Sequence, residues 1–214
     1  MKRIAVLAAI VAVVGFAAQA DAAGMYGGVK GGVNFANVTG DDAPDDTSMR
    51  TGFLGGLFAG KDVSDEFGFR LELLWAQKGA EADSAGATTK LKMDYVDVPL
   101  LFVYHLPAGE SVRIDLFAGP SFNFNVSGKF EGADGTEVDI DNMKSFEFGA
   151  VIGAGIAKQL AGGKAFGLDA RYQLGATSVF DDVTVGTTTI ESDLKTTGIG
   201  VMAFFQVPLG GAAE

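Results

Sequence analysis

From Val112 to Ser127 the chain reads V-R-I-D-L-F-A-G-P-S-F-N-F-N-V-S, apolar at every even position, with Arg113, Asp115, Asn123 and Asn125 among the odd ones. A period of two places alternate side chains on opposite faces and marks a β-strand. Sixteen residues exceed the about five or six of an ordinary soluble strand, whereas about nine to eleven tilted residues cross a bilayer as β structure. The apolar face is therefore a candidate lipid contact.

Eight segments carry strand character, near residues 25–36, 51–61, 67–78, 91–105, 112–127, 145–158, 166–179 and 196–209. In the first, Val29, Val33 and Phe35 alternate with Lys30 and Asn34. In the third, Phe67, Phe69, Leu71, Leu73 and Trp75 alternate with Arg70 and Glu72, and in the seventh Phe166, Leu168, Ala170, Tyr172 and Leu174 alternate with Asp169, Arg171 and Gln173. The second is apolar or glycine on both faces, and the eighth puts Met202 and Phe204 opposite Ile199, Val201 and Phe205, which small apolar lumen positions would explain. Three connections are short (62–66, 106–111, 159–165) and four long (37–50, 79–90, 128–144, 180–195). That alternation, with an even strand count, predicts an all-β fold: an eight-stranded antiparallel up-and-down transmembrane β-barrel with periplasmic turns and extracellular loops.

In the fourth segment Leu91, Met93 and Tyr95 alternate with Lys92 and Asp94, and continuing that register carries Asp97 to the lipid face. Pro99 and Pro120 each lack a ladder donor. The expectation is a β-bulge near 97–99 that resets the register.

The first twenty residues hold Lys2, Arg3 and an apolar run from Ile4 to Ala18, and small residues stand at Ala18, Ala20 and, just beyond, Ala22. This is the form of a secretory signal peptide cleaved after Ala20 or Ala22, leaving residues 21–214 as one barrel domain. No later stretch is long and apolar enough for a spanning helix, so a membrane protein made from this chain has to be a closed barrel. Losing the leader lowers the 16 basic residues to 14 against 27 acidic ones, which excludes nucleic acid as a partner. Cysteine is absent, so burial and hydrogen bonding must hold the exported chain. Its 31 glycines suit bends in a small curved sheet.

These registers point Lys30, Arg70, Lys92, Arg113 and Arg171 inward against Glu72, Asp94, Asp115, Glu147 and Asp169. Eight strands enclose a space that side chains just fill, and an unpaired buried charge is costly, so the balanced set reads as a structural polar plug before an ion path. Aromatics form two outward girdles, with Tyr26, Phe67, Phe166 and Phe205 at the periplasmic end and Phe35, Trp75, Tyr95, Phe122, Phe124, Phe146 and Phe148 toward the loops. A soluble lipocalin-like barrel fits the same alternation inside out, but soluble proteins rarely expose so large an apolar face.

Nothing in the sequence places an acid or nucleophile beside the single histidine, His105, so no catalytic residue and no enzyme activity are expected. The long loops carry 15 of the 27 acidic residues. Among them Asp134, Glu137, Asp139 and Asp141, together with Asp41, Asp42, Asp45 and Asp46, are oxygen donors suited to a divalent cation, without EF-hand spacing. Gly153-Ala-Gly155 and Gly198-Ile-Gly200 lie within strands and are not phosphate cradles. No cofactor is implied.

The runs G-V-K-G-G-V-N-F-A (Gly28 to Ala36), F-R-L-E-L-L-W-A-Q-K-G (Phe69 to Gly79), D-Y-V-D-V-P-L-L (Asp94 to Leu101), D-L-F-A-G-P-S-F-N-F (Asp115 to Phe124), F-G-A-V-I-G-A-G-I (Phe148 to Ile156) and L-D-A-R-Y-Q-L-G (Leu168 to Gly175) resemble the PorT-like, or porin-family, small outer-membrane barrels. That family is similar in fold to the OmpX and OmpA transmembrane domains. The resemblance covers nearly all of residues 21–214 except the long loops. It implies a monomer in the lipid of a Gram-negative outer membrane, delivered by the barrel assembly machinery, and carries over no active site. Many such barrels end on an aromatic residue, whereas this chain continues past Phe205 to Gly-Gly-Ala-Ala-Glu. Three roles fit: a plugged barrel with a structural or adhesive function in its acidic loops, a narrow channel for small solutes or ions, and a soluble periplasmic ligand-binding barrel.

Overall fold

Alternating apolar and polar positions close into a ring. The computed structural model describes residues 24–44, 46–84, 87–140, 142–180, 183–185, 188–190 and 192–209, so the leader, Asp45 and Asp141 lie outside the described residues. The strands are β1 (Met25–Thr39), β2 (Thr47–Asp62), β3 (Phe67–Ser84), β4 (Ala87–Pro107), β5 (Val112–Glu131), β6 (Glu137–Asp139), β7 (Phe146–Gln159), β8 (Ala165–Gly175), β9 (Val183–Val185), β10 (Thr188–Ile190) and β11 (Lys195–Pro208). Eight of them, β1 to β5, β7, β8 and β11, pair antiparallel with their neighbours, and β1 closes the ring against β11. β6 adds to the end of β5, and β9 and β10 form a separate hairpin. Closure removes the free edges that a bilayer would leave unsatisfied.

The wall sorts its side chains by parity. Inside lie Lys30, Asn34, Phe58, Arg70, Glu72, Asp115, Phe117, Asn123, Glu147, Asp169, Arg171, Met202 and Phe204, all buried. Outside, Val29, Leu57, Phe102, Leu116, Ile152, Ile156 and Leu168 form an exposed apolar belt. Aromatic pairs edge that belt, with Phe67 against Phe102 and Tyr104 near the short turns, and Phe122 against Phe148 and Phe124 against Phe146 near the long connections. A soluble ligand-binding barrel requires the reverse sorting. No helix among the described residues is long and apolar enough to cross a membrane.

Three expectations need correction. Tyr26 and Tyr95 are not girdle residues: both are buried inside, Tyr26 edge-on to Phe58. Residues 79–90 are mostly strand rather than loop, since β3 and β4 pair continuously to Ser84 and Ala87, helped by Lys90 beside Glu81 and by Thr88 bonded to Asp83. No register shift occurs at 97–99. Odd positions of β4 from Met93 to His105 all face inward, so Asp97 is lumenal without a bulge, and Asp94 falls on the opposite face. The bulge lies across the seam at Val126, where Asp94 pairs with Ser127 but Tyr95 with Asn125. Pro99 and Pro120 keep the register on either side, and the ladder is interrupted only at 100–101 opposite 119–120.

Candidate functional site

Arg70 and Glu72 follow each other on the inner face of β3, and Asp169 and Arg171 do the same on β8, because each pair is two residues apart. Glu72 accepts from Lys30 Nζ of β1 at 2.8 Å and from Arg171 Nη1 at 2.6 Å, with Arg70 Nε 2.9 Å away. Lys30 also reaches Asp169 at 2.6 Å. The Phe117 ring lies under both guanidiniums, 4.7 Å from Arg70 and 5.3 Å from Arg171. These side chains have almost no solvent, so each cation is held by carboxylate and π-face rather than by bulk water.

A second layer lies toward the long connections. Lys78 Nζ sits 3.1 Å from Asp97 and 3.9 Å from Glu147, over the Tyr95 ring. Glu147 spans past β8 to accept from Thr196 N and Oγ1 on β11. Gly175 makes room for it, since a Cβ there would overlap Glu147 Oε1. Above this layer the connections fold inward: Met143, Val179 and Leu194 pack on Val38, Ala80, Met93 and Tyr95 as an apolar cap. Backbone bonds from Lys144 N to Val179 O and from Val179 N to Leu194 O fasten it.

The third layer is at the short-turn end. His105 Nδ1 is 2.8 Å from Asp115 and Nε2 is 3.1 Å from Asp62, while Arg113 Nε is 2.7 Å from Asp115. Both ring nitrogens thus meet carboxylates, which leaves neither free as a base for a substrate. A cavity of about 510 Å³ opens here, lined in part by Tyr26, Asp62, His105, Arg113 and Gln206.

Of the ten charges expected inside, Lys30, Arg70, Glu72, Asp115, Glu147, Asp169 and Arg171 are buried there, and Arg113 joins them at the mouth. Lys92 and Asp94 do not: Lys92 reaches Glu131 and Glu137 on the outer face of the β4–β5–β6 extension. Sequence reasoning missed Lys78, Asp97 and His105. Extending the even parity of Arg70 and Glu72 along β3 would have found Lys78, and running the odd parity back from Val103 would have found Asp97.

The loop carboxylates are engaged locally. Asp134 accepts from Thr136 N and Oγ1, Glu137 from Lys92 and Lys129, and Asp139 stands opposite Lys129. Hydrogen bonds from those two lysines hold the Glu137 carboxyl down at about 2. Asp42 accepts from Asp193 N, and the neighbouring Lys195 holds the Asp193 carboxyl below its usual range. No group of three or more metal-ligating side chains occurs among the described residues.

Residues 17–181 match the family model described as outer membrane protein beta-barrel domain. The chain belongs to this family. It is an outer-membrane protein, and in such barrels short turns face the periplasm and long connections the outside. No curated protein matches the sequence. Among solved structures it is similar to Neisserial surface protein A (TM-score 0.51, 13% identity, 87% of this chain and 98% of that one). It is also similar to the outer membrane protein OprG of Pseudomonas aeruginosa (TM-score 0.50, 12% identity, 86% and 96%). The attachment invasion locus protein Ail of Yersinia pestis aligns at a TM-score of 0.44 with 15% identity over 85% of this chain and 97% of its own. At these identities the first two likenesses speak for the shared eight-stranded barrel fold.

Proposed function

We propose that this barrel is closed to solutes and works from its extracellular end, as a monomeric structural or adhesive protein without enzyme activity. The observation that carries the reading is the Glu72–Arg171 contact. β3 and β8 are four strands apart in either direction around the ring, so this 2.6 Å bond spans the full bore. Lys30, Arg70 and Phe117 crowd the same level, and the apolar cap lies above it. An eight-stranded barrel has little interior left once such side chains meet. The acid-rich extracellular loops are then the part of the molecule offered to partners. Export by a leader cleaved after Ala20 or Ala22, followed by assembly from the periplasm, belongs to the same proposal.

Planar-bilayer recording of purified protein tests it. The expected trace is flat at all voltages. Stable single-channel steps would replace this reading with the narrow channel, whose entrance would be the periplasmic cavity beside His105.

A further inference from the structure

A single row of side chains crosses five strands above the bilayer. Met49 of β2 stands opposite Ala80 of β3, Ala80 opposite Leu91 of β4, Leu91 opposite Phe130 of β5, and Phe130 opposite Val138 of β6. Directly paired residues of antiparallel strands share a face, so the five form one apolar stripe. With strands about 4.8 Å apart it is about 19 Å long. Ala80 is buried in the apolar cap and Leu91 packs against it, which fixes the stripe on the side facing the barrel axis. The other three are open: Met49 is 52% exposed, Phe130 45% and Val138 59%.

The opposite face of the same extension is charged. Glu81 faces Lys90, Lys90 faces Glu131, and Glu131 faces Glu137. Two register shifts create this division. One extra residue between Met49 and Leu54 and another at Val126 each reverse the inside and outside of what lies beyond them. Alternation running unbroken through these residues would point Met49 and Phe130 outward, and Lys129 and Glu131 over the mouth. The stripe is a separate device and not the upper margin of the lipid belt.

We propose that the stripe is a docking surface for a cationic amphipathic segment of an extracellular protein. Its apolar side chains would cover Met49, Phe130 and Val138, and its lysines or arginines would meet the acidic ends of the row. Exposed Asp46 precedes β2 at one end, and at the other exposed Asp139 follows Val138 on the opposite face of β6, where a partner's lysine would reach it around the open edge of that outermost strand. The four connections hold 15 acidic residues against five basic ones, and of those five Lys90, Lys129 and Lys195 already meet carboxylates while Arg50 bonds the Lys78 carbonyl. Charge complementarity therefore selects a cationic partner over an anionic one. The proposal rests on the adhesive reading above and names its partner class.

The test uses the full chain in nanodiscs, with a twelve-residue peptide of alternating Lys and Leu as probe, an alternating Glu and Leu peptide as control, and empty nanodiscs to subtract lipid binding. Saturable micromolar binding of the cationic peptide is expected, weakened at least tenfold by Phe130→Ser with Val138→Ser and severalfold by Asp46→Asn with Asp139→Asn. Equal affinity of wild type and the serine variant, equal binding of the acidic peptide, or no binding would overturn the proposal. If the serine variant fails to fold, the asparagine variant decides. Cell adhesion is measured in parallel. Adhesion that survives Phe130→Ser with Val138→Ser overturns the stripe and leaves the adhesive reading standing. Wild-type cells that do not adhere refute that reading, and peptide affinity still decides the stripe.

Discussion

Arg171 Nη1 lies 2.6 Å from Glu72 Oε2 although the two residues stand on opposite sides of an eight-stranded ring. The bond works only because both strands bring a second charge to the same level: Asp169 beside Arg171 and Arg70 beside Glu72, with Lys30 joining the carboxylates. Three cations meet two anions there, so the loss of either anion leaves buried positive charge without compensation.

Glu72→Ala should accordingly lower stability by about 3–5 kcal/mol, the range for breaking a buried ion pair from one side. Replacing both Glu72 and Arg171 by methionine should cost less than the two single changes together, because each removal deprives the other of its unpaired partner. Urea unfolding from lipid vesicles measures all three. Additive effects would mean that the cross-bore bond contributes nothing of its own.

Glu137 supplies a pH-dependent contact outside the membrane. Lys129 and Lys92 hold its folded carboxyl at about 2 against an ordinary 4.5, so the folded form favours the ionised state. Its contribution is complete above about pH 4.5 and is lost as pH falls through about 2. Carbon NMR of the Glu137 carboxyl should follow that low midpoint, and Lys129→Ala should move it up toward 4.5. The same midpoint in both proteins would contradict the assignment.

The ring itself was legible in the chain because lipid outside and charge inside impose a strict period of two on strands such as β3, β5 and β8. The lumen charges followed wherever one parity ran unbroken. β4 misled for a physical reason: Met93 and Tyr95 look like lipid-facing residues, yet they serve the apolar cap, whose other members Met143, Val179 and Leu194 come from connections with no periodicity of their own. Once Tyr95 is placed outside, Asp97 appears to need a bulge. The true bulge at Val126 left no trace, since a valine between Asn125 and Ser127 continues the alternation by composition while the backbone breaks it.

Deleting Val126 should remove that break. Ser127 would then follow Asn125 directly opposite Asp94, so the pairs beyond it are kept and Lys129, Glu131 and Phe130 hold their present faces. The expected result is an intact barrel whose amides in 127–131 and 137–139 stay at least as protected from exchange, since Lys92 keeps Glu131 and Glu137. Exchange at least tenfold faster in both segments would show that the extension depends on the bulge.

Gly175 is the last test of how the upper layer is packed. Its missing Cβ leaves the space occupied by Glu147 Oε1, which accepts from both Thr196 N and Thr196 Oγ1. Alanine at 175 would push the carboxylate off β11 and toward Lys78, which now sits 3.9 Å from its other oxygen. The cost combines overpacking with a freed Thr196 amide, about 1–3 kcal/mol for each. Gly175→Ala should therefore lower the unfolding midpoint. Gly109→Ala, where an added Cβ meets no atom within 4 Å but φ is +132°, isolates backbone strain for comparison. Glu147→Gln should soften the effect of Gly175→Ala, because a neutral amide displaced from Thr196 leaves no buried charge unpaired. If Gly175→Ala costs the same in both backgrounds, the glycine is there for the backbone and not for the glutamate.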